Sequence, residues 1–452
     1  MNFKPILCLL AGTLELFAAG GPTSPVVADK PPMGWNSYDC LGYTVTEEQV
    51  KTVADYMAQH LKQYGWDYVV IDWCWYAPST GSKWPPNQNE HFEPPLAVDA
   101  YGRLIPSLDR FPSAVDGKGF KPLADYVHGK GLKFGIHIIR GIPRQAVAQK
   151  TPILDSTATA ADIAWIGSSW GNPNCTWGIR MDQPGAQEYL DSVFKLYAQW
   201  GVDFVKIDDL TQQYYQAEIE GYRKAIDRCG RPMVFSGSPG ATPLEQAAHV
   251  SRQLNMWRLL EDLWDNWKQV DHAFEVIPQW LPYAAPGHWP DPDMLPLGRV
   301  MDIGQSHLNH DEQRTLMTLW CITRCPLILG GYLPDNDAFT TSLITNTEVL
   351  AVDQEPARCS VLRSGELPVF IAARTGARDQ YVALFNRSGR NPADVTLNLG
   401  DVHVQRCRIR DLWAQQDLGE FSGTFTAAIS AHGSGLFRLT VVEAAAGAAT
   451  KP

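Results

Sequence analysis

From about residue 32 to residue 345 the sequence keeps switching between two periods. Short apolar runs of the kind that form buried strands recur as "MGWNSY", "YVVIDWCW", "LKFGIHIIRG", "VDFVKIDD", "PMVFSGSP", "LNMWRLLED", "GHWPDPDML" and "CPLILGGY". Several are separated by segments of helical period, such as "TEEQVKTVADYMAQHL", "FKPLADYVHGKGL", "GAQEYLDSVFKLYAQWG" and "EIEGYRKAIDRCG". Strands that alternate with helices build parallel sheets, and eight such units in this length predict an α/β fold, a (β/α)8 TIM barrel, over residues 21–345. Near residue 350 the texture changes. "PVFIAARTG", "QYVALFNRSG", "DVTLNLG", "CRIRDLW" and "GTFTAAISAHGSGLFRLTVV" are short alternating strands between Gly, Asn and Asp turns, which predict a C-terminal antiparallel β-sandwich over 346–442. The low-complexity stretch 443–452 is expected to be a flexible tail.

A chain of 452 residues is too long for one core, which agrees with a large domain followed by a smaller one. With 45% hydrophobic and 19% charged residues it has the profile of a globular enzyme and not of a disordered chain. A formal charge of −11 argues against a nucleic-acid partner, which needs clustered Lys and Arg. The start, "MNFKPILCLLAGTLELFAAGGP", combines a lone Lys4, an apolar stretch and a small-residue run near Ala19. It reads as a signal peptide over residues 1–20, so the mature protein is expected to be secreted or periplasmic. Later segments lack the length of unbroken apolar sequence that a membrane span needs, so no membrane partner is expected.

Functional-looking residues gather at the ends of the strand-like runs. Tyr38, Asp72, His137, Lys206, Asp208, Ser238, Arg258 and Asp293 all fall at or just beyond a predicted strand's C-terminal end, the rim on which barrel enzymes build their active sites. Side chains alternate along a strand, so Lys206 and Asp208 face one way and Ile207 and Asp209 the other. A lysine that close holds Asp208 ionised, as a nucleophile requires; Asp209 is expected to cap the following helix. The run "NMWRLLEDLWDNW" offers Asp262 as a proton donor. On a helix Arg258 and Asp262, four apart, would form only a surface ion pair. The interleaved Trp257, Trp264 and Trp267 fit a sugar-lined cleft better. In "HWPDPDML", one of Asp291 and Asp293 is expected to bind substrate and the other to hold the loop. His137, His272 and His288 raise a metal reading, but the closely spaced histidine pair of a barrel metallohydrolase is missing. With no GxGxxG after a strand, no GxSxG elbow and no P-loop, neither metal nor cofactor is expected. The "CITRC" cysteines, Cys321 and Cys325, read as small buried thiols on one helix face.

These motifs resemble glycoside hydrolase family 27, the α-galactosidases and α-N-acetylgalactosaminidases. The resemblance runs from "PPMGWNSY" to the sandwich and rests on "MGWNSY", the Lys-x-Asp of "KIDD", the Arg-x-x-x-Asp of "RLLED" and "DPDML". It implies that Asp208 is the nucleophile and Asp262 the general acid/base of a retaining double displacement on a carbohydrate. It also implies substrate contacts from Tyr38, Asp72, Trp73, His137, Lys206, Ser238, Ala241, Arg258 and Asp293, and a Cys40–Cys74 bridge across strands 1 and 2. A second bridge between Cys359 and Cys407 is permitted by their spacing. The family usually has two adjacent aspartates after strand 2, whereas "IDWCW" keeps Asp72 and puts Trp73 in the second place. Leu210 stands where a cysteine usually follows the nucleophile strand. The Ser-x-x-Ala of "SGSPGA", Ser238 and Ala241, resembles the acetamido pocket of α-N-acetylgalactosaminidases, and members that prefer arabinopyranose also alter the strand 2 site. The implied activity is that of an α-galactosidase, with β-L-arabinopyranosides or α-N-acetylgalactosaminides as alternative substrates. A non-catalytic carbohydrate-binding barrel would tolerate loss of Asp208 or Asp262, and both are present.

Overall fold

The computed structural model describes residues 26–78, 96–168, 175–300 and 304–442; the expected signal peptide and tail lie outside the described residues. Eight parallel strands carry the first part of the chain: β1 (Met33–Asn36), β2 (Tyr68–Ile71), β3 (Lys133–Ile139), β4 (Phe204–Asp208), β5 (Val234–Gly237), β6 (Met256–Arg258), β7 (Trp289–Asp291) and β8 (Leu327–Leu329). They pair in chain order, and β8 returns to lie beside β1. The ladder closes just beyond β7, where the Leu295 N–H donates to the Ile328 carbonyl at 2.7 Å and its carbonyl accepts from the Gly330 N–H at 2.9 Å. The eight-unit barrel read from the sequence is therefore the observed fold. Each strand is shorter than its apolar run, because the residues at its C-terminal end leave the ladder to form the rim.

Side chains fill the barrel. Tyr68, Val70, Phe204, Val234, Met256, Met294 and Ile328 meet in one buried cluster inside it, as expected where the inward face of a closed sheet must exclude water. Only a cavity of about 20 Å³ separates this plug from the Lys206 and Arg258 side chains above it. At Gly34 on β1 the wall leaves no room for a side chain, since a Cβ there would lie 2.5 Å from the Tyr68 carbonyl oxygen.

Helices cover the outside. Helix α1 (Glu47–Tyr56) starts at a capping box in which Thr46 and Gln49 satisfy each other's backbone N–H groups. Helices α2 (Lys121–Gly129), α3 (Ala186–Trp200) and α4 (Gln216–Arg228) follow, each presenting an apolar stripe to the sheet. Gly201, at φ 89°, ends α3 and lets the chain turn into β4. Helix α5 (Ala247–Gln253) precedes β6, α6 (Trp267–Trp280) and α7 (His310–Thr323) flank β7, and the helices Ala338–Ile344 and Thr347–Gln354 follow β8. Among the described residues no helix is long and apolar enough to cross a membrane.

The C-terminal part is the expected antiparallel sandwich. Its larger sheet has six strands, β9 (Ala357–Arg363), β10 (Val369–Arg374), β11 (Gln380–Phe385), Ser434–Val441, Arg406–Asp411 and Gln416–Ser422 in spatial order. Ala393–Asn398 and Thr424–Ile429 form the second sheet, and Val382, Leu384, Val395, Leu397, Phe425 and Phe437 are packed together in the sandwich core. Sequence reading missed the Ala357–Arg363 and Gln416–Ser422 strands. Both are edges: Gln416–Ser422 is almost wholly exposed, and Ala357–Arg363 sets the half-buried Ala357, Cys359 and Val361 against the core. The sandwich docks on α7 and α6: the His432 carbonyl accepts from Thr315 Oγ1 at 2.7 Å, Trp413 Nε1 donates to Thr318 Oγ1 at 2.9 Å, and the Phe274 and Phe385 rings meet edge-on at 4.9 Å.

The expected Cys40–Cys74 bridge is not formed among the described residues. Cys40 and Cys74 are free and buried. A helical turn after β1 aims the Cys40 thiol at the Ser37 carbonyl, 3.6 Å away, and the thiol whose field bears on Cys74 is that of Cys175. Cys359 and Cys407 are also free, on strands separated by three others. All eight cysteines of the described residues are therefore expected to alkylate in denaturant without reductant, as read by intact mass. A pair that labels only after reduction would contradict this arrangement.

Candidate active site

The mouth of the barrel is built on strand register. His137 on β3 lies opposite Lys206 on β4, and Lys206 lies opposite Ser236 on β5. Asp208 is two residues further along the same face. Asp72 stands immediately beyond β2, fixed from below because its N–H donates to Ser37 Oγ at 2.9 Å.

Lys206 does not choose the carboxylate nearest in sequence. Its Nζ donates to Asp72 Oδ2 at 3.1 Å, and Asn36 Nδ2 donates to the same oxygen at 2.6 Å. The other Asp72 oxygen accepts the Trp73 N–H at 2.8 Å. Asp208 is held instead by His137 Nε2 at 3.3 Å on Oδ2 and by Ser238 Oγ at 2.8 Å on Oδ1. Burial by itself would push both carboxyls up. For Asp72 the fields of His137 and Lys206 and its two hydrogen bonds overcome that and hold it well below the usual carboxylate range. For Asp208 the hydrogen bond and field of His137, then Lys206 and Ser238, hold it below its ordinary value. Burial works against the Lys206 charge, but Asp72 and Asp208 keep the ammonium firmly protonated.

The second acid comes from the segment after β6. Residues 259–266 form a loop, so Arg258 and Asp262 are not neighbours on a helix face. The buried Arg258 guanidinium spans the loop, with Nη2 3.2 Å from Asp262 Oδ1 and 2.8 Å from Asp293 Oδ2. The Leu263 N–H donates to Asp293 at 2.7 Å, and Asp291 accepts the Asp293 N–H at 3.0 Å. Asp293, expected among the substrate contacts, thus has its carboxylate engaged with Arg258 and the backbone that carries Asp262. Burial pushes the Asp291 carboxyl up to about 6, with Arg258 pulling it down and Asp293 adding to the rise. The two candidate catalytic acids differ in access: the Asp208 side chain is 14% exposed and that of Asp262 is 59% exposed.

Aromatic rings wall the mouth. Tyr38 lies 6.5 Å from both Trp73 and Trp264, and Tyr43 backs Trp73 at 5.6 Å, ring centre to ring centre. Burial, followed by the negative fields of Asp72, Asp262 and Asp208, raises the Tyr38 phenol well above its usual range, so it is neutral beside these acids. Three expectations need correction. Ser238 is wholly buried beneath Asp208 and supports that carboxylate instead of lining a sugar pocket. Ala241 lines a surface groove of about 590 Å³ with Leu244, Glu261 and His272. Asp209 does not cap α4, whose N-cap is Tyr215; it accepts from Arg140 at 2.9 Å. The three histidines of the metal reading are not gathered either, since His288 Nδ1 is bonded to the Leu254 carbonyl at 2.7 Å, away from His137. Sequence reading passed over Asn36, whose contact with Asp72 crosses between strands. It also passed over Arg140, a cation directly after a strand and so visible in principle.

A closed parallel barrel with paired carboxylates at its C-terminal rim, followed by a sandwich, defines a glycoside hydrolase of the two-carboxylate kind. Family comparison gives the same class. The model described as alpha galactosidase A matches residues 31–148 and 170–355, and that of the alpha galactosidase C-terminal β-sandwich domain matches 365–439. The chain belongs to glycoside hydrolase family 27. It is 30% identical to the alpha-galactosidase of Cyamopsis tetragonoloba over 91% of this chain and 86% of that protein. It is 27% identical to the alpha-N-acetylgalactosaminidase of Gallus gallus over 82% and 83%. Among solved structures, a family 27 β-L-arabinopyranosidase from Geobacillus stearothermophilus in complex with arabinose is 46% identical, with a TM-score of 0.88 over 92% of this chain and 98% of that one.

Because Asp208 is held below its ordinary value of 3.8, a reaction that needs it ionised keeps its rate as acid is added until the pH falls below that value. The acid limb of kcat/KM, from initial rates with recovery at neutral pH to exclude unfolding, is expected below pH 3.8. A limb centred at about pH 5 or higher, above the ordinary range of an aspartate, would contradict this electrostatic account.

Proposed function

We propose that the protein is a retaining exo-glycosidase for terminal galacto-configured pyranosides, with β-L-arabinopyranosides its best substrates and α-D-galactosides also hydrolysed. Asp208 attacks the anomeric carbon while Asp262 protonates the departing glycosidic oxygen, leaving a glycosyl ester on Asp208. Asp262, now a carboxylate, takes a proton from water, whose oxygen displaces Asp208 and restores both groups. The unequal exposure of the two acids fits these roles. Asp208 is shielded and has both oxygens oriented by His137 and Ser238, whereas Asp262 meets solvent, where the leaving group departs and water enters. Asp72 and Lys206, paired and facing the same mouth, present an acceptor and a donor to ring hydroxyls.

The choice of sugar is carried by Trp73. The two sugars share the same ring and hydroxyl arrangement and differ in the hydroxymethyl arm at C5. A carboxylate in the second place after β2 would hydrogen-bond that arm; here the position holds an indole packed between Tyr38 and Tyr43 and almost wholly buried. The 46% identity to an enzyme named for arabinopyranosides supports the same reading. Support for an N-acetyl sugar weakens because Ser238 is buried under Asp208.

Two experiments test the proposal. Asp208→Asn is expected to abolish turnover without loss of fold, while Asp262→Asn slows substrates with poor leaving groups far more than activated aryl glycosides. Matched aryl β-L-arabinopyranoside and α-D-galactoside are expected to favour the pentoside in the wild type, and Trp73→Asp should move that ratio toward the galactoside by about tenfold or more, as a regained polar contact does. A wild type that prefers the galactoside would overturn the sugar assignment and leave the mechanism standing.

A further inference from the structure

Directly behind Asp208, the end of β3 is tied to the end of β4 by a buried charge cluster that the hydrolysis does not use. Arg140 follows β3, and its side chain is fully buried. Its backbone N–H donates to the Asp208 carbonyl at 2.9 Å and its Nε to the Asp209 carbonyl at 2.8 Å, so one residue grips two successive peptide groups of the nucleophile strand. Its Nη2 donates to Asp209 Oδ2 at 2.9 Å and its Nη1 to Glu218 Oε1 on α4 at 2.6 Å. The guanidinium lies 3.5 Å from the centre of the Tyr215 ring, and the other Glu218 oxygen accepts the Ile179 N–H at 3.2 Å. Between the two gripped peptides, Asp209 adopts φ 59°, a left-handed conformation that a non-glycine residue keeps only when its surroundings impose it.

Such a cluster is a poor device for stability, since replacing buried ion pairs with apolar residues of like volume is often neutral or better. What it supplies is direction. A guanidinium presents donors in a fixed planar fork, so the Asp209 carbonyl and the two carboxylates around it have little freedom to shift, while the Arg140 backbone N–H holds the Asp208 carbonyl. We propose that Arg140, Asp209 and Glu218 form a positioning clamp that fixes the backbone at Asp208 and so sets the angle from which its carboxylate attacks. The inference rests on the reading of Asp208 as the nucleophile. Arg140 and its partners are positioning residues, which act on the sugar only through Asp208.

Adduct formation isolates the attack step. An activated 2-deoxy-2-fluoro-β-L-arabinopyranosyl fluoride loses fluoride as the Asp208 oxygen bonds to its anomeric carbon; the 2-fluorine slows both displacements, and the good leaving group keeps the first fast enough for the ester to accumulate. The full chain would be compared with Asp209→Asn, Glu218→Gln and Arg140→Met by intact mass over time, alongside the inhibition constant of free arabinose and the melting temperature. Asparagine tolerates the left-handed turn, so Asp209→Asn keeps the fold even where Arg140→Met does not. It is expected to form the adduct about tenfold to a hundredfold more slowly, the scale of a small misplacement of a reacting group, with the arabinose constant unchanged. Glu218→Gln, which keeps the Asp209 arm, should lose less. An adduct on Asp208 that forms at the wild-type rate in Asp209→Asn, whatever happens to melting temperature, overturns the clamp alone. A wild-type adduct on another residue overturns the nucleophile reading and the clamp with it.

Discussion

The mouth of this barrel depends on one buried ion pair, Lys206 Nζ to Asp72 Oδ2 at 3.1 Å. An ammonium removed from water at the end of a core strand needs a partner, or the lost hydration outweighs anything it offers a ligand. The partner comes from two strands away because β3 lies between β2 and β4, and β3 contributes His137 at the same level. His137 and Ser238 are then the groups that bond Asp208, while Lys206 acts on it through its field. One negative group is neutralised by contact and the other is held ionised yet open to attack. A pairing of Lys206 with Asp208 alone would leave the buried Asp72 to the field of His137 and the hydrogen bonds of Asn36 and the Trp73 N–H.

Much of this was legible in the sequence because it follows from periodicity. Alternation placed Lys206 and Asp208 on one face, and the change from mixed to purely strand-like texture near residue 350 marked the sandwich. Partner choice was not legible. Whether Lys206 meets Asp208 or Asp72, and whether Ser238 faces a sugar or a carboxylate, depends on register between strands distant in sequence. The Arg258–Asp262 spacing suggested a helix face because four residues is the helical interval; the structure has a loop there, and Arg258 bridges it. The Cys40–Cys74 bridge came from resemblance, and the local turns after β1 and β2 keep those thiols apart. Edge strands with little buried surface left only a short periodic trace, such as Ala357, Cys359 and Val361.

The same frame explains why the family is clearer than the sugar. Asp72 and Lys206 are bound to each other by charge, as are Arg258 and Asp293, so a change at one member of either pair leaves a buried charge without that partner. Trp73 answers to packing alone, against Tyr38 and Tyr43. A position held by apolar contacts can be exchanged without disturbing the acids, and in the proposed reading it borders the part of the ring where an arabinopyranose and a galactose differ. Selectivity can therefore change while the chemistry stays.

If Asp208 attacks one face of the anomeric carbon while Asp262 serves the opposite, leaving-group face, a covalent ester stands between two displacements. The configuration of the first product formed tests this most directly. Hydrolysis of an aryl β-L-arabinopyranoside followed by NMR from the first minutes, before mutarotation, should release the β-anomer, because two displacements restore the starting configuration. Initial release of the α-anomer would mean a single displacement by water, and Asp208 would then not be the nucleophile.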